Sequence, residues 1–139
     1  MVEFSMGIGP SLAAPSITSD PLRDQKNLFE SLCMINNATA LNLYTAYLKL
    51  LMEDHLQDAF LIAIKHEADR IFSSLLSFYP LLPAVDVNRL IQEACMVQER
   101  PAIHLILKTI YEHSALMANA TADNLQILNR MFNKDILLR

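Results

Sequence analysis

Glycine is almost absent from this sequence: Gly7 and Gly9 are its two copies, and nothing from Pro10 to Arg139 adds a third. Tight β-hairpins use backbone conformations that glycine reaches at least cost, and phosphate-cradling loops need its close backbone approach. Both are disfavoured over nearly the whole chain, which leaves helices joined by polar turns and an all-α fold as the expectation. A basic excess is missing as well, since 11 Lys and Arg face 15 Asp and Glu for a net charge of −4. Binding a phosphate backbone needs a basic stripe, so nucleic acid is not an expected partner. Long apolar runs are also lacking. No stretch reaches the roughly 18 apolar residues of a spanning helix, so no membrane insertion is expected. Residues 1 to 19 carry no Lys or Arg and no sustained apolar run, which does not fit a conventional signal peptide.

What the chain does hold is apolar residues, at 53% of the total, enough for a sizeable core in one domain. Their arrangement recurs about every 31 residues, in Phe29 to Tyr44, Phe60 to Leu76, Ile91 to Leu107 and a shorter copy from Leu125 to Leu138. Each copy reads as an apolar helix, a polar turn and a second apolar helix. Residues 1–22, with Gly7, Gly9, Pro10, Pro15 and Pro21, hold too many breakers for a long helix and read as a flexible arm before a helical repeat domain over 23–139.

In the first copy Asp24 or Asn27 is positioned to cap a helix running through Ile35. Asn36-Asn37 supplies the turn, and Ala38 to Met52 reads as one second helix, with Leu41, Tyr44, Leu48 and Leu51 three or four apart. The next helix, Leu56 to Lys65, contains the unbroken run Ala59 to Ile64, too apolar for a helix with one solvated side. It is expected to be packed on both flanks. Its partner runs from Ile71 to Tyr79, ended by Pro80 and Pro83. Asp86 caps a third pair whose first helix reaches Val97 and whose second begins at Pro101, where a missing N–H costs nothing. Thr121 caps a last helix from Ala122 to Met131, and Asp135 is placed to cap one more.

Superposed, the copies place Phe60, Ala63 and Ile64, then Ile71, Phe72, Leu75 and Leu76, beside Ile91, Ala94 and Cys95, then Ala102, Ile103, Ile106 and Leu107. Phe29, Leu32, Cys33, Ala40 and Leu41 fill the same places in the first copy, and Leu125, Leu128, Asn129, Ile136 and Leu137 in the fourth. Over residues 27 to 138 this core pattern resembles degenerate ankyrin repeats, with starts at 29, 60, 91 and 125 close to that family's period. The family's Thr-Pro-Leu-His opening and turn glycine are absent from every copy. The resemblance implies an ankyrin-like solenoid of three to four stacked antiparallel helix pairs. A compact helical bundle is the alternative that the same alternation of apolar helices suits.

The resemblance also implies a function: a protein-protein interaction module, as adaptor, inhibitor or effector docking domain, binding a partner protein through the concave face of the stack. Carried over by position, the residues facing that partner are Met34 and Ile35, Lys65 and His66, Met96 and Val97, and Arg130 and Met131. Three methionines among them suggest an adaptable apolar groove, because an unbranched thioether repacks easily. The apolar Ile136, Leu137 and Leu138 point to a homodimer through the C-terminal end, or to the arm folding back. A small dimeric helical chaperone or assembly subunit, and an enzyme of unrecognised type, are the alternatives.

Chemistry finds little support. His55, His66, His104 and His113 have no second ligand at metal-site spacing, no motif presents Cys33 or Cys95 as a nucleophile, and no cofactor is expected. Because the two cysteines occupy the same place in separate copies, both are expected to be buried thiols in a reducing, cytoplasmic compartment, or in a host cytosol if the chain is a secreted effector.

Overall fold

The computed structural model of the chain describes residues 20–97 and 100–132, and among these it has nine α-helices and no strand. The helices are α1 (Pro21–Met34), α2 (Ala38–Leu43), α3 (Lys49–Asp54), α4 (Leu56–Lys65), α5 (Asp69–Leu75), α6 (Val87–Met96), α7 (Pro101–Glu112), α8 (Ser114–Met117) and α9 (Ala122–Phe132). The expected all-α class is therefore observed. Among the described residues no helix is long and apolar enough to cross a membrane.

The helices pack in two files. In the first, α1 lies against α4, α4 against α6 and α6 against α9; in the second, α2 lies against α5 and α5 against α7. Within each pair α1 meets α2, α4 meets α5 and α6 meets α7. α3 is wedged against α1 and α4, and α8 against α7 and the short 3-10 turn Leu82–Ala84. The apolar run in α4 is packed as its composition requires: Leu56, Ala59, Phe60, Ala63 and Ile64 are buried, and Leu61 and Ile62 rest against the core. Phe60 meets Phe72 of α5 edge-on, with ring centroids 4.9 Å apart, a geometry worth about 1 kcal/mol beyond area burial.

Polar side chains tie one pair to the next at recurrent positions. Near the start of α1 the Gln25 Oε1 accepts from Leu51 N–H (2.9 Å), while near the start of α4 the Gln57 Oε1 accepts from Asp86 N–H (2.7 Å). At the start of α6 the Asn88 Oδ1 accepts from Thr121 N–H (2.8 Å) and from the buried Asn124 side-chain amide (2.9 Å). The turn after α1 does the same work from the other end. Asn36 Oδ1 accepts from Arg70 N–H (3.1 Å) and Ile71 N–H (3.2 Å), capping α5 across the pair boundary, and its amide donates to Asp69 Oδ1 (3.0 Å).

Asn36 (φ 50°) and, 31 residues on, Glu67 (φ 56°) both take the left-handed conformation that the missing turn glycines leave to other residues. Glu67 in turn pairs with Arg100, the residue just before α7 (3.7 Å).

Several boundaries differ from expectation. The cap of α1 is Asp20, whose Oδ1 accepts from Leu22 and Arg23 N–H, rather than Asp24 or Asn27. Pro21 and Leu22, assigned by sequence to the arm 1–22, therefore belong to the first helix, with proline in its favoured first turn. The single helix expected over Ala38–Met52 is two, α2 and α3, separated by a turn at 44–48. Tyr44, Thr45 and Tyr47 are weak helix formers, and α2 must follow α5 while α3 follows α1 and α4, so one straight rod cannot bury both Leu41 and Leu51. The helix expected through Tyr79 stops at Leu75 and tightens into a 3-10 turn, Leu76–Phe78. Asp86, Pro101 and Thr121 start their helices as expected. The rest of the expected arm, residues 1–19, and the helix expected after Asp135 lie outside the described residues.

Replacing Asn36 separates its two tasks. Both replacements remove the cross-pair hydrogen bonds, but Asn36→Gly reaches positive φ at little cost whereas Asn36→Ala keeps a β-carbon there without asparagine's tolerance of it; urea unfolding is expected to find both destabilised, the alanine by about 1 kcal/mol more.

Candidate partner-binding face

The first helices end at a recurrent position. Met34 closes α1, Lys65 closes α4 and Met96 closes α6, at intervals of 31 residues. All three are exposed: Met34 retains 69% and Met96 80% of their accessible surface, and the Lys65 side chain 70%. In α9 the corresponding residue, Arg130, is exposed too. These four lie on the successive helices of the first file, α1, α4, α6 and α9.

The second member of each expected pair behaves differently. One step along a helix turns the side chain by about 100°, enough to carry it from solvent toward the next helix. Ile35 stays exposed, because it is the C-cap beyond α1. His66, Val97 and Met131 are half-buried, Val97 and Met131 against the core. The eight residues selected by sequence thus divide into an outer set, Met34, Ile35, Lys65, Met96 and Arg130, and an inner set that packs.

Glu30, which sequence reasoning did not single out, organises the middle of this face. Its Oε2 accepts from His66 Nε2 (2.7 Å) and from Lys65 Nζ (3.3 Å), tying α1 to the end of α4. The hydrogen bond from His66, then that from Lys65, hold the Glu30 carboxyl below its ordinary value. Further along the same boundary Lys26 pairs with Asp58 (3.1 Å), and within α6 Arg89 pairs with Glu93 (3.2 Å). The clue available in the sequence was the separation of Glu30 from Lys65 and His66, 35 and 36 residues, which is one repeat plus one helical turn.

The two thiols do not share a fate. Cys33 is buried, and desolvation, aided by the nearby Glu30 charge, pushes its thiol up to about 12. Cys95, at the same recurrent place, is exposed, contrary to the expectation of two buried thiols, and partial desolvation raises it more modestly. The difference lies in the packing beyond each thiol. Cys95 lines an open pocket of about 280 Å³ between α6, α7 and the end of α9, together with Val97, Ile103, His104, Leu107 and Met131. The fourth copy departs from expectation at one place. Leu125, matched to the buried Phe29, Phe60 and Ile91, is 40% exposed, while Leu128 and Asn124 carry α9 into the core. Asn129 accepts from the Tyr111 hydroxyl (2.8 Å), and Phe132 stacks on Tyr111. Among the described residues no group of three or more His, Cys, Asp or Glu is placed to hold a metal ion.

Two outcomes check this geometry. In native protein a maleimide or disulfide reagent is expected to modify Cys95 readily and Cys33 only after unfolding, with peptide mapping to assign the label. The depressed Glu30 carboxyl adds stability at pH values above the ordinary carboxylate range, and that contribution disappears as pH falls through the native value. A denaturation series is therefore expected to show wild type more stable than Glu30→Gln near neutral pH, with the gap closing on acidification. Comparison of the chain with protein-family models, with curated proteins and with solved structures finds no match.

Proposed function

We propose that the chain is a protein-binding module of the cytoplasm, a row of ankyrin-like helix pairs whose outer helix ends dock a partner protein. The stacking reading is supported by the two files of helix contacts, α1 to α9 and α2 to α7, and by the left-handed turn residues Asn36 and Glu67 one period apart. It is supported too by the cross-pair amides, Gln25, Gln57 and Asn88, which recur nearly in step with the period. Adaptor, inhibitor and effector docking domain are the roles such a scaffold serves, because it offers an extended face rather than a cleft.

One observation carries the binding role. Met34, Ile35 and Met96 are large, apolar and solvent-exposed at the ends of the two helices that flank α4, at sites where the fold gains nothing from apolar character. Apolar exposure grouped around polar residues marks interaction surfaces, and methionine suits a surface that must adapt. The ionic pairs between them, Glu30 with Lys65 and His66, are satisfied within the chain, so the face is available without stripping an unpaired buried charge.

The test is capture of partners from lysate by wild-type protein and by a Met34→Glu, Met96→Glu variant, with circular dichroism and urea midpoints establishing that both are equally folded. Both residues are exposed, so stability is expected to change by no more than about 0.5 kcal/mol at either site. A partner retained by wild type and lost by the variant is the expected result; identical partners on both would retire this face as the docking site.

A further inference from the structure

We propose that the pocket between α6, α7 and the end of α9 binds a soft monovalent metal ion, Cu(I), with Cys95, His104 and Met131 as its ligands. All three residues line that pocket, and they come from three helices: the last turn of α6, the first turn of α7 and the last turn of α9. Each of these helices packs against the other two. Asn88 of α6 accepts from the Asn124 amide of α9 (2.9 Å), and the Tyr111 hydroxyl of α7 donates to Asn129 of α9 (2.8 Å), so the walls that carry the donors are tied to one another. The exposed helix ends Met34 and Met96 are not in this lining.

The state of the four histidines singles out His104. His66 Nε2 is bonded to Glu30 (2.7 Å), His55 Nδ1 lies 3.8 Å from Asp58 Oδ2, and His113 Nδ1 accepts from Leu116 N–H (3.4 Å). Among the described residues no hydrogen bond or ion pair engages the ring of His104. Its contact is with the Phe132 ring, centroids 5.1 Å apart, which orients the imidazole without occupying its nitrogens. Cys95 is the exposed one of the two free thiols. The histidine with an uncommitted ring and the reachable thiol therefore stand in the same pocket, and a thioether completes the set.

The kind of donor selects the metal. Thiolate and thioether sulfur suit Cu(I), and imidazole is a good copper ligand as well. The rest of the lining, Ala94, Val97, Ile103 and Leu107, adds no side-chain oxygen. Calcium and magnesium need oxygen ligands, which this lining's side chains lack. Zinc is held by cysteine, histidine and carboxylate, so it would find two ligands here where a structural site has four. On binding, the Cys95 S–H bond breaks, its electron pair forms the sulfur–copper bond and the proton passes to solvent; the copper keeps its oxidation state. Met131 and the neutral His104 ring add lone pairs without losing a proton.

The experiment is anaerobic titration of the full, reduced chain with Cu(I) supplied as its bicinchoninate complex, whose colour fades as the protein takes the metal. One Cu(I) per chain is expected, and X-ray absorption of the loaded wild type is expected to show two sulfurs and one nitrogen on the copper. Cys95→Ser, His104→Gln and Met131→Leu are each expected to weaken binding about tenfold or more, while Cys33→Ala and Met96→Leu leave it unchanged, with circular dichroism establishing equal helix content. The absorption spectrum is read on wild type, so it decides even where a variant fails to fold. A copper shell without nitrogen, no competition with the chelator, or binding that survives both His104→Gln and Met131→Leu would overturn the site.

Discussion

Short helices are marginal alone, so this fold depends on what each helix takes from its neighbours beyond local caps such as Asp20, Asn37 and Asp86. Among the described residues the longest helix has 14 residues and several have six or seven, lengths at which an isolated helix is marginal in water. Each leaves unpaired N–H groups at its start and C=O groups at its end. Asn36 meets two such groups of α5 from the preceding pair, and Asn88 reaches into the turn ahead of α9. No pair is a closed unit. The start of α5 is capped from the pair before it, and the apolar flanks of α4 are covered by the helices on either side of it.

This explains which features were legible in the sequence. Apolar spacing needs only side-chain identity and helical period, and it located α4, α6, α7 and α9 to within a residue or two at most ends. It also required that α4 be covered on both flanks, as it is by α1 and α6. Where competing neighbours decide the path, local pattern misled. Leu41, Leu48 and Leu51 are correctly spaced for one helix, yet Leu41 lies in α2 and Leu51 in α3, because α2 goes on from α1 to α5 and α3 from α1 to α4. The cap at Asp20 was missed for a related reason: Pro21 looked like a breaker, although the first turn of a helix accommodates it. Asn36 was legible as a turn residue, but its service to α5 depends on a contact 34 and 35 residues away.

For the candidate face, recurrence alone selected pairs of adjacent residues, and geometry separated them. The first of each pair projects from the end of its helix, or near it in α9; the second, beyond α1, turns inward. His66 gives up solvent for Glu30, and Met131 gives it up for the core. Positional equivalence therefore carries information about direction only to within one residue, or about 100° of helix rotation. Apolar character at the exposed first position consequently has no packing function, whereas methionine at position 131 has one.

Burial at an equivalent position also depends on the next element in the file. The places of Cys33, Ile64 and Cys95 are related by two intervals of 31 residues, and the first two are buried while the third is exposed. The first two belong to pairs succeeded by another pair, α4 with α5 and then α6 with α7. Beyond Cys95 the file continues with α9 alone, beside an open pocket rather than a second packed helix. The same cysteine in the same helical context thus has a thiol raised to about 12 in one copy and a modestly raised, reachable one in another. Sequence similarity between copies specifies which way a residue faces; the neighbour it faces determines whether water is excluded there. In a chain assembled from unclosed pairs, chemical reactivity is therefore a property of place in the file, not of the repeat.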